Sequence, residues 1–254
     1  MSLDQESSEP NDPAEVLART PWGALEHAYG SAIDVPEILA GLLDPDQPLR
    51  SRALDRLHHV VHHQNTLYTA TAPAALYVVG ILGDSRTLWA VDKRPHSFPG
   101  PMRAELLGWL DSVADAADDA TAATSRRFGF PPEEYAPFVE VCRIRPQLHR
   151  AVSAFLDDSD VHVREAAASA CIPLLDDPYL RHQRAVLVPL LRQVLATSAL
   201  WQYRERVIDA LASWGEDTTG LEGQQERYVF CGAEHQPSPW AVEPEGGYDM
   251  DPPF

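Results

Sequence analysis

Residues 35–57 read VPEILAGLLDPDQPLRSRALDRL, and two later stretches repeat their plan. Residues 155–171 read FLDDSDVHVREAAASAC, and residues 187–215 read LVPLLRQVLATSALWQYRERVIDALASWG. Asp46-x-x-Leu49-Arg50-x-x-Ala53 aligns with Asp160-x-x-Val163-Arg164-x-x-Ala167. Tyr203-Arg204 falls in the same register, with Leu200 in place of the aspartate. Val35-Pro36 and Val188-Pro189 each open a leucine-rich run ahead of the motif. Arg164 and Arg204 are 40 residues apart; Arg50 and Arg164 are 114 apart, three units of 38, so two degenerate repeats are expected between them. A fixed period in this range marks stacked helical units.

Outward from the repeat, helical periodicity runs through nearly the whole chain. Leu49, Ala53, Leu57, Val60 and Val61 fall three and four apart, as do Leu106, Leu107, Leu110, Val113, Ala114 and Ala117. Thr20-Pro21 reads as a capped helix start, and Pro48, Pro101 and Pro178 suit a first turn. Asn-Gly and Asp-Gly hairpin signals are absent, so the expectation is all-α. Trp89–Pro101 is poor in helix signals and reads as a loop.

The repeat resembles the HEAT family, whose units are helix pairs with Pro and Leu in the first helix and D-x-x-V-R-x-x-A opening the second. The resemblance spans about residues 16–216 and is good in three units. Trp22-Gly23-x-Leu25-Glu26-His27-Ala28-Tyr29-Gly30, with His63-Gln64 and the later Tyr68, Ala70 and Thr71, looks like a group of bacterial, largely actinobacterial, HEAT-repeat proteins. It implies an α-solenoid and no settled activity; with the repeat spacing the expectation is a right-handed solenoid of about five antiparallel helix pairs, its acidic termini disordered by their composition. The motif's Asp suits a helix N-terminus, its Arg is expected to ladder onto the neighbouring repeat's Asp, and its Ala permits close helix approach.

Charge bounds the function. The 254 residues hold 38 acids and 20 Lys plus Arg, a net −18. Residues 1–15 and 232–254 each carry five acids and no base, which reads as an acidic N-terminal tail and a Pro-rich acidic C-terminal tail around a solenoid at 16–231. That middle keeps 28 acids and 20 bases, a net −8. The balance argues against nucleic acid and anionic membrane as partners. Cys142, Cys171 and Cys231 are too scattered for a disulfide framework or thiolate zinc site. The first residues lack an apolar signal region, so a cytoplasmic location is expected.

Candidate chemistry is sparse. His58, His59, His62 and His63 form two i,i+4 pairs on an expected helix, but the pairs point about 100° apart and cannot share one ion. Asp111, Asp115, Asp118 and Asp119 form an acidic stripe on an expected helix 102–126, suited to a basic partner or to a solvated face. No GxSxG, HExxH, Walker or GxGxxG motif is present, and no cofactor is implied. With apolar positions inward, Arg52, Asp55, Arg56 and His59 are expected to look out from the first second-helix, Glu165 and Ser169 from a later one, and Glu205 and Asp209 from the last. The expectation is a non-enzymatic protein-binding surface on the concave face for a basic partner (a toxin met by an immunity protein, or an enzyme). The alternatives are a scaffold or lyase-type HEAT-like enzyme, and a metal-responsive protein using the histidine cluster.

Overall fold

The computed structural model describes residues 12–92 and 99–221. The chain is mostly helical, as its periodicity predicts. The tail at 232–254, Cys231 and most of the segment at 1–15 lie outside the described residues, as does the middle of the Trp89–Pro101 stretch, whose described parts carry no helix.

Helix α1 (Pro13–Arg19) begins inside the segment read as tail: Asp12 accepts a hydrogen bond from the Ala14 amide and Pro13 opens the first turn. Thr20 therefore ends a helix rather than starting one, and Pro21 introduces only a short 3-10 turn at Trp22–Ala24. A minimal antiparallel pair follows, β1 (Glu26–His27) with β2 (Gly30–Ser31), where the sequence shows no strand signal. Gly30 takes φ +117 at its tight turn.

The remaining helices are α2 (Val35–Gly41), α3 (Gln47–Arg56), α4 (Thr71–Ile81), α5 (Met102–Asp115), α6 (Asp119–Arg127), α7 (Ala136–Ser153), α8 (Val161–Leu174), α9 (Arg184–Thr197) and α10 (Trp201–Ser213). Consecutive helices pack as pairs: α2 on α3, α4 on α5, α7 on α8 and α9 on α10. Across pairs, α4 lies on α7 and α5 on α8, and α8 also meets α10. The α5–α8 seam is the main one. Leu106, Leu107, Leu110 and Val113 of α5 and Val163, Ala166, Ala167 and Ala170 of α8 are fully buried. The alanine stripe lets the two axes approach closely, while each buried leucine contributes about 1.5–3 kcal/mol. Between α3 and α7, where the spacing predicts two helix pairs, the described residues hold α4, α5 and the short α6.

The repeated motif builds the same local device twice. Before α3, Asp44 accepts from the Asp46 amide at 2.8 Å and Asp46 accepts from the Leu49 amide at 3.1 Å. Before α8, Asp158 accepts from the Asp160 amide at 2.9 Å, and Asp160 accepts from the His162 and Val163 amides at 2.8 and 3.3 Å. The arginine then folds back over this turn. Arg50 donates to the Asp44 and Pro45 carbonyls, and Arg164 to those of Asp158 and Ser159. Arginine thus clamps the carbonyls of its own turn, correcting the expected ladder onto a neighbouring aspartate. In the third copy Ser198 accepts from the Leu200 amide, standing in for the first aspartate, and Arg204 reaches the Leu195 carbonyl.

Three further expectations change. The helix read over 102–126 is two helices, because Asp118 turns to extended backbone (ψ 175) and caps α6 through the Thr121 amide at 2.6 Å. Pro178 sits in a turn rather than a first helical turn. Leu49, read as inward, is 46% exposed.

Candidate functional site

A groove of about 830 Å³ runs between α5, α8 and α10, with the start of α6 in its lining. Its walls carry Asp111, Asp115, Asp118, Asp119, Asp176, Glu205 and Asp209 against two arginines, Arg184 and Arg206. Trp201, Tyr203 and Trp214 supply aromatic surface.

Both arginines are already held. Arg206 of α10 bridges Asp111 at 2.6 Å and Asp115 at 2.9 Å, one turn apart on α5. Ser169 of α8, only 2% exposed, donates to the other Asp111 oxygen at 2.6 Å. Three helices are thus tied at one carboxylate. Burial pushes the Asp111 carboxyl above its ordinary value, against the pull of Arg206. Burial works against the Arg206 charge, but Asp111 and Asp115 outweigh it and hold the guanidinium up. Arg184 pairs with Asp176 at 2.8 Å and lies over the Trp214 ring at 5.1 Å. Asp118 is engaged as the α6 cap, burial raising its pKa, and Asp119 pairs with Arg181 at 3.1 Å. Glu205 and Asp209 are exposed and make no ion pair among the described residues.

The structure therefore gathers six of the expected surface residues, Asp111, Asp115, Asp118, Asp119, Glu205 and Asp209, on one groove. It corrects the rest. The α5 stripe is no free anionic face, since Arg206 already neutralises its inner half. Glu165 is 5% exposed and lines a separate cavity of about 350 Å³ against α9, not the outer face. Ser169 points inward to Asp111. Arg52, Asp55, Arg56 and His59 lie away from this groove on α3 and just beyond it; Arg52 and His59 are exposed, and Arg56 is committed to Asp34 at 2.6 Å. Arg206 was not singled out by sequence, and Ser169 was read there as facing outward. The available signal was Asp111 itself, an acid directly beside the apolar stripe, which demands a cation from another helix.

The histidine cluster does not share one helix face. After α3 the backbone passes through a π-turn at Leu57–Val61, and His62 leaves the helix at φ −143, ψ 63. His62 is buried, with Nδ1 3.1 Å from the Thr66 carbonyl and Nε2 3.0 Å from Ser112 Oγ. His59 Nδ1 faces the Asp55 carbonyl at 2.7 Å. Among the described residues no three His, Cys, Asp or Glu side chains converge as metal ligands.

The H-A-Y-G stretch is likewise explained by local structure. His27 Nδ1 accepts from the Tyr29 amide at 3.0 Å, which leaves Nε2–H to donate to Asp34 at 2.9 Å. The Ala28 amide donates to the Val60 carbonyl and the Ala70 amide to the Glu26 carbonyl, so this hairpin stitches the end of α3 to the start of α4.

No family model, curated protein or solved structure matches the chain. No helix among the described residues is long and apolar enough to cross a membrane.

Proposed function

We propose that the chain is a HEAT-like α-solenoid whose second helices line a concave groove that binds a basic segment of a protein partner. Two observations support the solenoid reading. The cap-and-clamp device recurs at equivalent places before α3 and α8, and α5, α8 and α10 form one layer while α4 and α7 form another.

The binding reading rests on one observation, the surplus of carboxylates in the α5–α8–α10 groove. Its two arginines are consumed by internal pairs, and Glu205 and Asp209 remain exposed beside Trp201. Such a wall attracts a cationic segment and accelerates its arrival at low ionic strength. Aromatic faces add binding surface for guanidinium groups, as Trp214 does for the chain's own Arg184.

The test is affinity capture from the native host with the full-length protein and with the E205K/D209K double variant. The expected result is a stoichiometric basic protein on the wild type, lost on the variant and released by salt. Recovery of the same partner by both proteins would refute the groove as its site.

A further inference from the structure

Ser112 on the groove wall is in hydrogen-bond contact with a buried histidine that does not itself line the groove. Ser112 of α5 lines the groove, and its Oγ lies 3.0 Å from Nε2 of the buried His62. The other imidazole nitrogen, Nδ1, faces the Thr66 carbonyl at 3.1 Å. A carbonyl only accepts, so Nδ1 carries a proton. Burial lowers the His62 pKa from its usual 6.5, so the ring is neutral at pH 7 and Nε2 is bare. The Ser112 hydroxyl proton then has two acceptors within reach, Nε2 at 3.0 Å and Asn65 Oδ1 at 3.2 Å. Asn65 lies on the other side of Oγ, and its carboxamide oxygen accepts from the Ser112 hydroxyl.

The loop that presents these groups is strained. Gln64 and Asn65 are consecutive non-glycine residues at φ 49 and φ 57. Such a conformation persists only where the surroundings enforce it, and it gathers at functional sites. The chain on either side is held by Thr71 Oγ1, which donates to the Val61 carbonyl at 2.7 Å, and by the Tyr135 hydroxyl, which donates to the Leu67 carbonyl. A nucleophile on the groove wall, a buried base and a group orienting the base are thus held in contact.

We propose that Ser112 is an acyl-accepting nucleophile, with His62 as its general base, for carboxylic esters that carry a positive charge. Ser112 Oγ adds to the ester carbonyl carbon while its proton passes to His62 Nε2. The C–O bond to the alcohol then breaks, and the alcohol leaves with that proton. Water attacks the acyl-serine, His62 takes a proton from the water, and it returns one to Ser112 Oγ as the acid is released. Asp115, whose charge is felt at His62, favours the imidazolium that forms. Glu205 and Asp209, the exposed acids of the same groove, select a cationic substrate and repel an anionic one.

The probe is p-nitrophenyl 4-guanidinobenzoate, a cationic ester that releases a coloured alcohol on acylation. Full-length protein is expected to give a burst of one equivalent per chain, with the adduct mapped to Ser112 by peptide mass analysis. Ser112→Ala removes the burst, and His62→Gln slows acylation roughly a hundredfold. The wild-type rate is expected to be flat from pH 9 down through the usual histidine value of 6.5 and to fall only below it, as His62 protonates at its lowered pKa. It exceeds the rate on neutral p-nitrophenyl acetate at low salt, and the difference shrinks at high salt. No burst from folded wild type, an adduct on another residue, or a rate that climbs steadily with hydroxide to pH 9 would each overturn the proposal. The wild-type readouts stand even if a variant fails to fold. Because the probe is a small ester, they also stand or fall apart from capture of a protein partner.

Discussion

Arg50 and Arg164 carry the same duty, six residues after Asp44 and Asp158, but in different surroundings. Arg50 is 3% exposed and also donates to the Ala90 carbonyl at 2.6 Å; Arg164 is half-buried and, among the described residues, donates to the carbonyls of its own turn. Arg50→Ala is therefore expected to lower stability by about 1.5–3 kcal/mol, the range for charged hydrogen bonds. Arg164→Ala should cost less, and urea unfolding would rank them. The capping aspartates predict about 1 kcal/mol each for Asp46→Ala and Asp160→Ala. His62 gives a pH signature. Its folded pKa lies below the unfolded 6.5, so the unfolded chain binds the extra proton first. Stability is present above pH 6.5 and is lost as pH falls from 6.5 toward the folded pKa. The melting temperature of wild type minus that of His62→Gln should shrink over that interval; a difference independent of pH would contradict a buried neutral imidazole. At this scale the sequence was partly legible. Asp46 and Asp160 announced themselves as caps by their spacing, whereas the target of each arginine did not, because the carbonyls it clamps leave no trace in residue type.

Among elements, α5 and α8 form the seam that orders the others. Ala167 of α8 is fully buried. Ala167→Leu should overpack the seam and cost about 1–3 kcal/mol, measured by urea unfolding. The approach to α5 is equally tight. Gly100 takes φ +105, and a Cβ there would lie 2.7 Å from the His162 Cβ. Gly100→Ala is therefore expected to destabilise by more than the roughly 1 kcal/mol usual for a glycine replaced at positive φ. Equal melting of variant and wild type would contradict the close packing of this loop on α8. Element type was legible throughout the helical stretches, and boundaries were not. Periodicity ran on from Val113 and Ala114 to Ala117 and so bridged the break before α6. The break is set by Asp118 and Thr121, a capping pair hidden in an acidic stripe. Histidine spacing misled for a related reason: the π-turn shifts the register after Leu57, and i,i+4 geometry ends there.

For the whole molecule, the net charge of −18 is only a frame. What matters is where acids gather without cations. The stripe on α5 and the acids of α10 were visible as separate patterns, but their meeting across α8 depends on long-range packing that no local spacing encodes. That meeting turns two patterns into one groove, with Arg206 balancing its inner acids and leaving Glu205 and Asp209 outside the pair. Ionic strength should therefore weaken partner binding strongly, and E205K/D209K should weaken it even at low salt while leaving the melting temperature nearly unchanged. Titration of the isotope-labelled full-length protein with a ten-residue arginine-rich peptide at low salt, followed residue by residue by NMR, tests the groove most directly. Binding at the proposed site predicts saturable shifts confined to α5, the start of α6, α8 and α10, abolished in E205K/D209K. Shifts spread over every acidic surface, or none along α10, would contradict it.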